Sequence, residues 1–327
     1  MYDQYTEALE QYEMQVHAVR KGRGAWICET DRGIRLLKEY RGTAKRLEFE
    51  DEVLSCLDLE GVLRADRYVR NREGSLLSVS GDGTRYVLKE WFDEPECDLK
   101  DARQVRLAVS RLATLHQMLR AVSIKEEWDM GSIRAESLRE EFARHNREMK
   151  KARAFIRTKR VKTEFELSVM GSFDRFFEQA QQASRGLSKL LGREDALKTA
   201  LCHGSIDQHH LLMGDGYTAI IEYNQLHLGL QAEDLYRLMR KVMERQGWDV
   251  WLGKMMMEAY EAVRPMEAVE RESLYYMFLY PEKYWKQLNF YYNTNKAWIS
   301  ARNIEKLRVL EEQQSAREQF LEKTFRA

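Results

Sequence analysis

The sequence predicts an α+β protein in two lobes, a small antiparallel-sheet lobe followed by a mostly helical large one. Three observations carry this. The 327 residues exceed what one simple core usually holds. The first third is cut into short β-type runs by glycine turns. Beyond Pro95 apolar residues recur at helical spacing, and with only three prolines in the chain few breaks interrupt them. The expected division is residues 1–92 for the small lobe, 93–97 for a connection and 98–327 for the large lobe.

In order, Gln15 to Tyr40 holds three strand candidates, Val16-His17-Ala18-Val19, Trp26-Ile27-Cys28 and Ile34-Arg35-Leu36-Leu37. Gly22, Gly24 and the Asp31-Arg32-Gly33 turn separate them. Thr43 to Leu59 then places Leu47, Val53, Leu54 and Leu57 at helical intervals. Strand candidates return around Tyr68-Val69, from Leu76 to Val79, and over Tyr86-Val87-Leu88-Lys89-Glu90-Trp91-Phe92 after a Gly81-Asp82-Gly83 turn. Val105, Val109, Leu112, Leu115 and Leu119 mark one amphipathic helix, and Phe165 to Leu190 steps by three and four through a longer one. Residues 201–224 interrupt the helices with a hairpin that turns at Gly214-Asp215-Gly216, and helices resume at Glu233. The aromatics spread across them (Trp248, Trp251, Tyr260, Tyr275, Tyr276, Trp285, Tyr291, Tyr292, Trp298) read as core or interface.

Composition narrows the function classes. With 53 basic and 53 acidic residues the chain carries no net charge, so global charge argues for neither a nucleic-acid nor a membrane partner. Cys28, Cys56, Cys97 and Cys202 are widely spaced, which suits reduced thiols in a reducing cytoplasm. Met1 to Glu10 has acids and no apolar core, so neither a signal peptide nor a membrane span is expected. Arg144 to Lys162 is rich in Arg and Lys and reads as a solvated face, with an anionic partner as its functional alternative.

The segment Leu201-Cys202-His203-Gly204-Ser205-Ile206-Asp207-Gln208-His209-His210 has the outline of a phosphotransferase loop. Phosphoryl transfer needs a carboxylate to take the attacking hydroxyl's proton and, further on, a carboxamide to hold the metal. The loop resembles the His-x-Asp-x-x-x-x-Asn signature of aminoglycoside-phosphotransferase-like kinases, with Ser205 in the Asp place and His210 in the Asn place. A serine hydroxyl is uncharged near neutral pH and cannot serve as a carboxylate base. Asp207 is a possible substitute base, displaced by two residues, and reads better as a turn or cap residue. Glu222-Tyr223-Asn224 stands where the metal-binding acidic triplet belongs. Its glutamate keeps the charge but adds a methylene, and imidazole at His210 is a poor partner for magnesium.

Several separated blocks resemble the CotS family of bacterial spore-coat proteins, relatives of the aminoglycoside and choline kinases. These are Gly24-Ala25-Trp26-Ile27 with Gly33-Ile34-Arg35-Leu36-Leu37-Lys38, then Tyr86 to Phe92 with Glu96-Cys97-Asp98 as the hinge, Arg111 to His116, and Tyr291-Tyr292-Asn293 with Lys296-Ala297-Trp298. The resemblance implies a two-lobed protein-kinase-like fold of the aminoglycoside phosphotransferase type. It further implies that Lys38 holds nucleotide phosphates, paired with Glu52 or else Glu48, and that Glu90 belongs to the nucleotide-binding hinge. His203 would brace the loop, Asp234 would support it from the next helix, and Glu222 and His210 would be degenerate magnesium positions. The function so implied is a pseudokinase acting as a structural component of the endospore coat, made in the mother-cell cytoplasm and bound to other coat proteins. Its competitors are an active small-molecule kinase using Lys38, Asp207 and Glu222 with ATP and magnesium, and nucleotide binding without turnover.

Overall fold

The computed structural model describes residues 4–57, 59, 61–128, 131–134, 136–192, 199–294 and 300–326. The chain forms two compact units, residues 1–133 with 201–228, and residues 134–200 with 229–327. Packing therefore divides it differently from the expected boundary at 93–97.

The first unit opens with α1 (Gln4–Leu9) and the meander β1 (Val16–Gly22), β2 (Ala25–Thr30) and β3 (Gly33–Glu39). Gly22 pairs with Ala25, leaving Arg23 and Gly24 as a two-residue turn with φ of 52° and 69°. Two consecutive left-handed residues make a type I′ turn, whose twist matches that of the flanking strands. Helix α2 (Ala44–Cys56) starts at Thr43, whose hydroxyl accepts from Arg46 N–H, and buries Leu47, Phe49, Glu50, Val53 and Leu54. Short strands β4 (Leu63–Ala65), β5 (Tyr68–Val69) and β6 (Ser78–Val79) lead to β7 (Arg85–Glu90). The main sheet runs β1-β2-β3-β7-β5, with β6 also on β7. Helix α3 (Ala102–Ala121) follows, capped by Asp101.

The hairpin expected near residue 210 belongs to this unit. Strand β8 (Ala200–Cys202) precedes it, β9 (Leu211–Met213) and β10 (Thr218–Ile220) form it, and β11 (His227–Gly229) follows and pairs with β8. Strand β10 runs parallel to β4, with Thr218, Ala219 and Ile220 opposite Leu63, Arg64 and Ala65. Cys97 N–H donates to Leu211 O and Met213 N–H to Pro95 O. These backbone bonds explain why the hairpin groups with the N-terminal strands.

The second unit holds α4 (Leu138–Thr158), α5 (Glu164–Leu191), α6 (Gln231–Arg245), α7 (Val250–Glu261), α8 (Ala268–Leu279), α9 (Glu282–Asn293), α10 (Ala301–Glu312) and α11 (Gln314–Phe325). A capping box of Thr163 and Glu166 starts α5. The buried Glu166 carboxylate also accepts from Tyr291 and Lys159, so the tyrosine of the C-terminal signature anchors α9 to α5. Lys296, Ala297 and Trp298 lie outside the described residues. Trp248, Tyr260 and Tyr291 are buried as expected, whereas Trp251 is 66% exposed. Among the described residues no helix is long and apolar enough to cross a membrane.

Candidate functional site

The loop after β8 is built around His203, which is fully buried. A carbonyl can only accept, so the 3.0 Å contact between His203 Nε2 and Ile221 O places the proton on Nε2. Nδ1 is then an acceptor, 3.4 Å from both the N–H and the hydroxyl of Ser205. The ring also lies 4.8 Å from that of Tyr223 and 5.5 Å from that of His210. Gly204 between them has φ +87°, and a Cβ there would stand 2.2 Å from Gln225 O. Only glycine fits this turn.

Asp207 begins a 3₁₀ turn over Gln208–His210. Its Oδ1 accepts from His209 N–H at 3.0 Å and from His210 Nδ1 at 2.8 Å. The carboxylate therefore caps its own turn and pins His210. Among the described residues no group of three or more His, Cys, Asp or Glu converges to hold a metal. The set does not fit a magnesium site, since its two proposed ligands have other partners: His210 is held by Asp207, and Glu222 faces Lys38.

A cavity of about 270 Å³ opens in the first unit, lined among others by Lys38, Glu50, Asp66, Tyr68, Lys89 and Glu222. Lys38 Nζ is 3.6 Å from Glu222 Oε1. Glu222 is left-handed, with φ 66°, and its N–H donates to Asp66 Oδ2 at 3.0 Å. The same oxygen is 2.6 Å from Lys89 Nζ, and both members of that pair are buried. Glu50 is buried too, receiving Arg46 at 2.6 Å and the Tyr68 hydroxyl at 2.5 Å. Arg46 continues to Asn224 O and Leu226 O, tying α2 to the segment after Glu222.

This geometry corrects part of the sequence reading. Glu52 is not the partner of Lys38: its carboxylate accepts from Lys125 at 2.9 Å and Trp128 Nε1 at 2.6 Å, which hold it below the usual carboxylate range against burial. The reason is helical phase, because two residues turn a helix by about 200° and put Glu50, not Glu52, on the buried face. Glu48 is exposed. Glu90 lines a different groove, with Arg32, Arg35, Arg64 and Arg67, because neighbours on a strand point oppositely and Lys89 takes the cavity side. Asp234 lies buried in the first turn of α6, in the second unit. Beside it, burial pushes Glu233 up to about 7. Glu50, Asp66 and Lys89 were missed by sequence reasoning. Glu50 had a signal, its place three residues after Leu47 and before Val53 on the apolar face.

The glycine-containing turn between β1 and β2 is held by side chains. Arg23 donates to His209 O at 2.9 Å and reaches Glu96 at 2.5 Å, and Glu96 also meets His209 Nδ1 at 2.6 Å. Arg20 bridges Asp93 at 2.5 Å. Next to this clasp, Ala25, Ile27, Leu36, Trp91, Leu212, Ala219 and Ile221 form a buried cluster, none more than 6% exposed. It joins the meander to the hairpin.

Comparison with solved structures defines the class of fold. An aminoglycoside phosphotransferase from Alicyclobacillus acidocaldarius subsp. acidocaldarius DSM 446 superposes with a TM-score of 0.82 at 16% identity, over 97% of this chain and 93% of that one. A spectinomycin phosphotransferase solved with ADP and spectinomycin gives a TM-score of 0.64 at 15% identity, over 95% and 94%. The fold is the kinase-like fold of the aminoglycoside phosphotransferases. No family model matches the chain. Among curated proteins, spore coat protein S of Bacillus subtilis (strain 168) is 22% identical over 342 residues, 97% of this chain and 93% of that protein. The chain is thus similar, over nearly the full length of both, to a spore-coat protein, and it shares the fold of the aminoglycoside phosphotransferases.

Proposed function

We propose that this chain is a pseudokinase, a non-catalytic component of the spore coat that uses a kinase-shaped scaffold to bind other coat proteins. The observation that carries the reading is the state of the loop acids. Ser205 stands in the base position with a hydroxyl aimed at His203, and Asp207, the substitute acid two residues on, is engaged by His209 N–H and His210. A base must reach the substrate hydroxyl, and this carboxylate already caps a turn. The clasp of Arg23, Glu96 and His209 adds support, since it ties the β1–β2 turn to the loop that carries Asp207. The coat assignment rests on the likeness to spore coat protein S, and synthesis in the mother-cell cytoplasm followed by deposition on the coat goes with it.

The test is incubation of the full chain with Mg-ATP and a panel of amino alcohols and aminoglycosides, following ADP release. No release above buffer is expected. Phosphate transfer that disappears in Asp207→Asn would overturn the proposal in favour of an active kinase. A second reading, nucleotide binding without turnover, is favoured by the cavity beside Lys38 and Lys89. It predicts a rise in melting temperature with ATP, because a ligand bound only by the folded state stabilises it. Lys38→Ala would abolish that rise, while ADP release would stay absent.

A further inference from the structure

One segment takes no part in the cleft. Between residues 144 and 162 nine Lys and Arg stand against a single acid, Glu148, in a chain whose 53 basic and 53 acidic residues balance only when this segment is included. The fold sorts these cations into two sets. Arg144 bridges Glu136 at 2.8 Å and Glu148 at 3.5 Å, Arg153 reaches Asp174 at 2.8 Å, and Lys159 binds Glu166. Lys162 donates to Lys159 O at 2.7 Å. The other five, Arg147, Lys150, Lys151, Arg157 and Arg160, are exposed, and among the described residues none makes a salt bridge.

Four of these five share one face of α4, spanning about 15 Å from Arg147 to Arg157 at the rise of an α-helix. Arg160 and the 83% exposed Val161 carry the stripe past the helix end. Like charges three and four residues apart repel on a helix, so the stripe favours an anionic neighbour. The kind of neighbour follows from what else the face offers. None of its exposed residues is aromatic, which leaves nothing for a nucleic-acid base to stack on. A helix lying on a bilayer needs a free apolar face, and that of α4 (Leu138, Phe142, Met149, Ala152, Ile156) is buried in the protein.

We propose that this face of α4 docks a carboxylate-rich segment of another protein. The docking is independent of the cleft's chemistry, because the stripe contains no cleft residue.

The test titrates the full chain into fluorescein-labelled poly-glutamate and follows anisotropy at low and high salt. The unaltered chain is expected to bind, more weakly at high salt. The variant R147Q/K150Q/K151Q/R157Q is expected to lose at least about tenfold in affinity. A control of equal charge change on exposed residues elsewhere, K45Q/R72Q/R106Q/K254Q, is expected to stay within about twofold. Equal loss in both variants, no binding by the unaltered chain, or tighter binding of polyphosphate, duplex DNA or anionic vesicles than of poly-glutamate would each overturn the proposal. A second measurement needs no variant to fold: carbodiimide coupling of poly-glutamate to the unaltered chain should mark Lys150 and Lys151. Coupling spread evenly over other exposed lysines would count against the stripe.

Discussion

Ser205 and Gly204 are neighbours with opposite demands. The serine hydroxyl is 3.4 Å from His203 Nδ1, long for a hydrogen bond. Ser205→Ala is therefore expected to change stability by less than about 0.5 kcal/mol in chemical denaturation. Gly204→Ala must seat a Cβ 2.2 Å from Gln225 O at φ +87° and is expected to destabilise by about 3 kcal/mol. If the two substitutions behave alike, this account of the loop is wrong. The loop thus keeps strict requirements of shape at the glycine and few of chemistry at the serine. Lys89 is a third case. Lys89→Met leaves Asp66 buried with its charge partner removed and is expected to cost about 3–5 kcal/mol. Adding Asp66→Asn should recover part of that loss, a non-additivity that a double-mutant cycle measures.

At the scale of the element, periodicity and turn chemistry made most of the fold legible. The helix expected from Phe165 to Leu190 is Glu164–Leu191, and the Gly214-Asp215-Gly216 turn does join two strands. The candidate site was legible where a motif is continuous, as in His203 to His210. It was illegible where side chains meet from distant elements: nothing in the sequence near Asp66 announces Lys89 or the backbone of Glu222. The buried charge of Lys89 hid inside the apolar run Tyr86-Val87-Leu88, where period two gives no warning of an ion pair. Element context also orders the cysteines. Cys28, Cys97 and Cys202 are buried, burial pushes the first two thiols up to about 11 and about 12, and Cys56 is exposed at the end of α2. A thiol reagent is expected to modify one cysteine in the native chain and all four after denaturation. Rapid modification of two or more under native conditions would contradict the packing.

For the molecule as a whole, two buried groups of the second unit set opposing responses to pH. Burial raises Glu233 to about 7, so the folded state holds its proton more tightly than the unfolded chain. That stabilisation is complete below the ordinary carboxylate range and is lost as pH climbs to about 7. Burial lowers His145, stacked on Trp285, to about 4, so its contribution is present above the ordinary imidazole range and is lost as pH falls toward that value. Each effect is on the order of 3 kcal/mol, and over the shared interval they nearly cancel. Stability of the unaltered chain is expected to be flat between these values. Glu233→Gln should make it rise with pH, and His145→Phe should make it fall. Parallel curves for all three proteins would refute the assignment. The pairing of β4 with β10 carries a different consequence, for the order of birth. Its partners lie about 150 residues apart, so on the ribosome the meander is finished long before the strand that completes its unit exists. The nascent N-terminal third must wait, with Leu63 and Ala65 uncovered, while α4 and α5 emerge. A chain arrested short of Leu211 would leave that edge open to strangers, and a chaperone that shields apolar surface would be its natural companion.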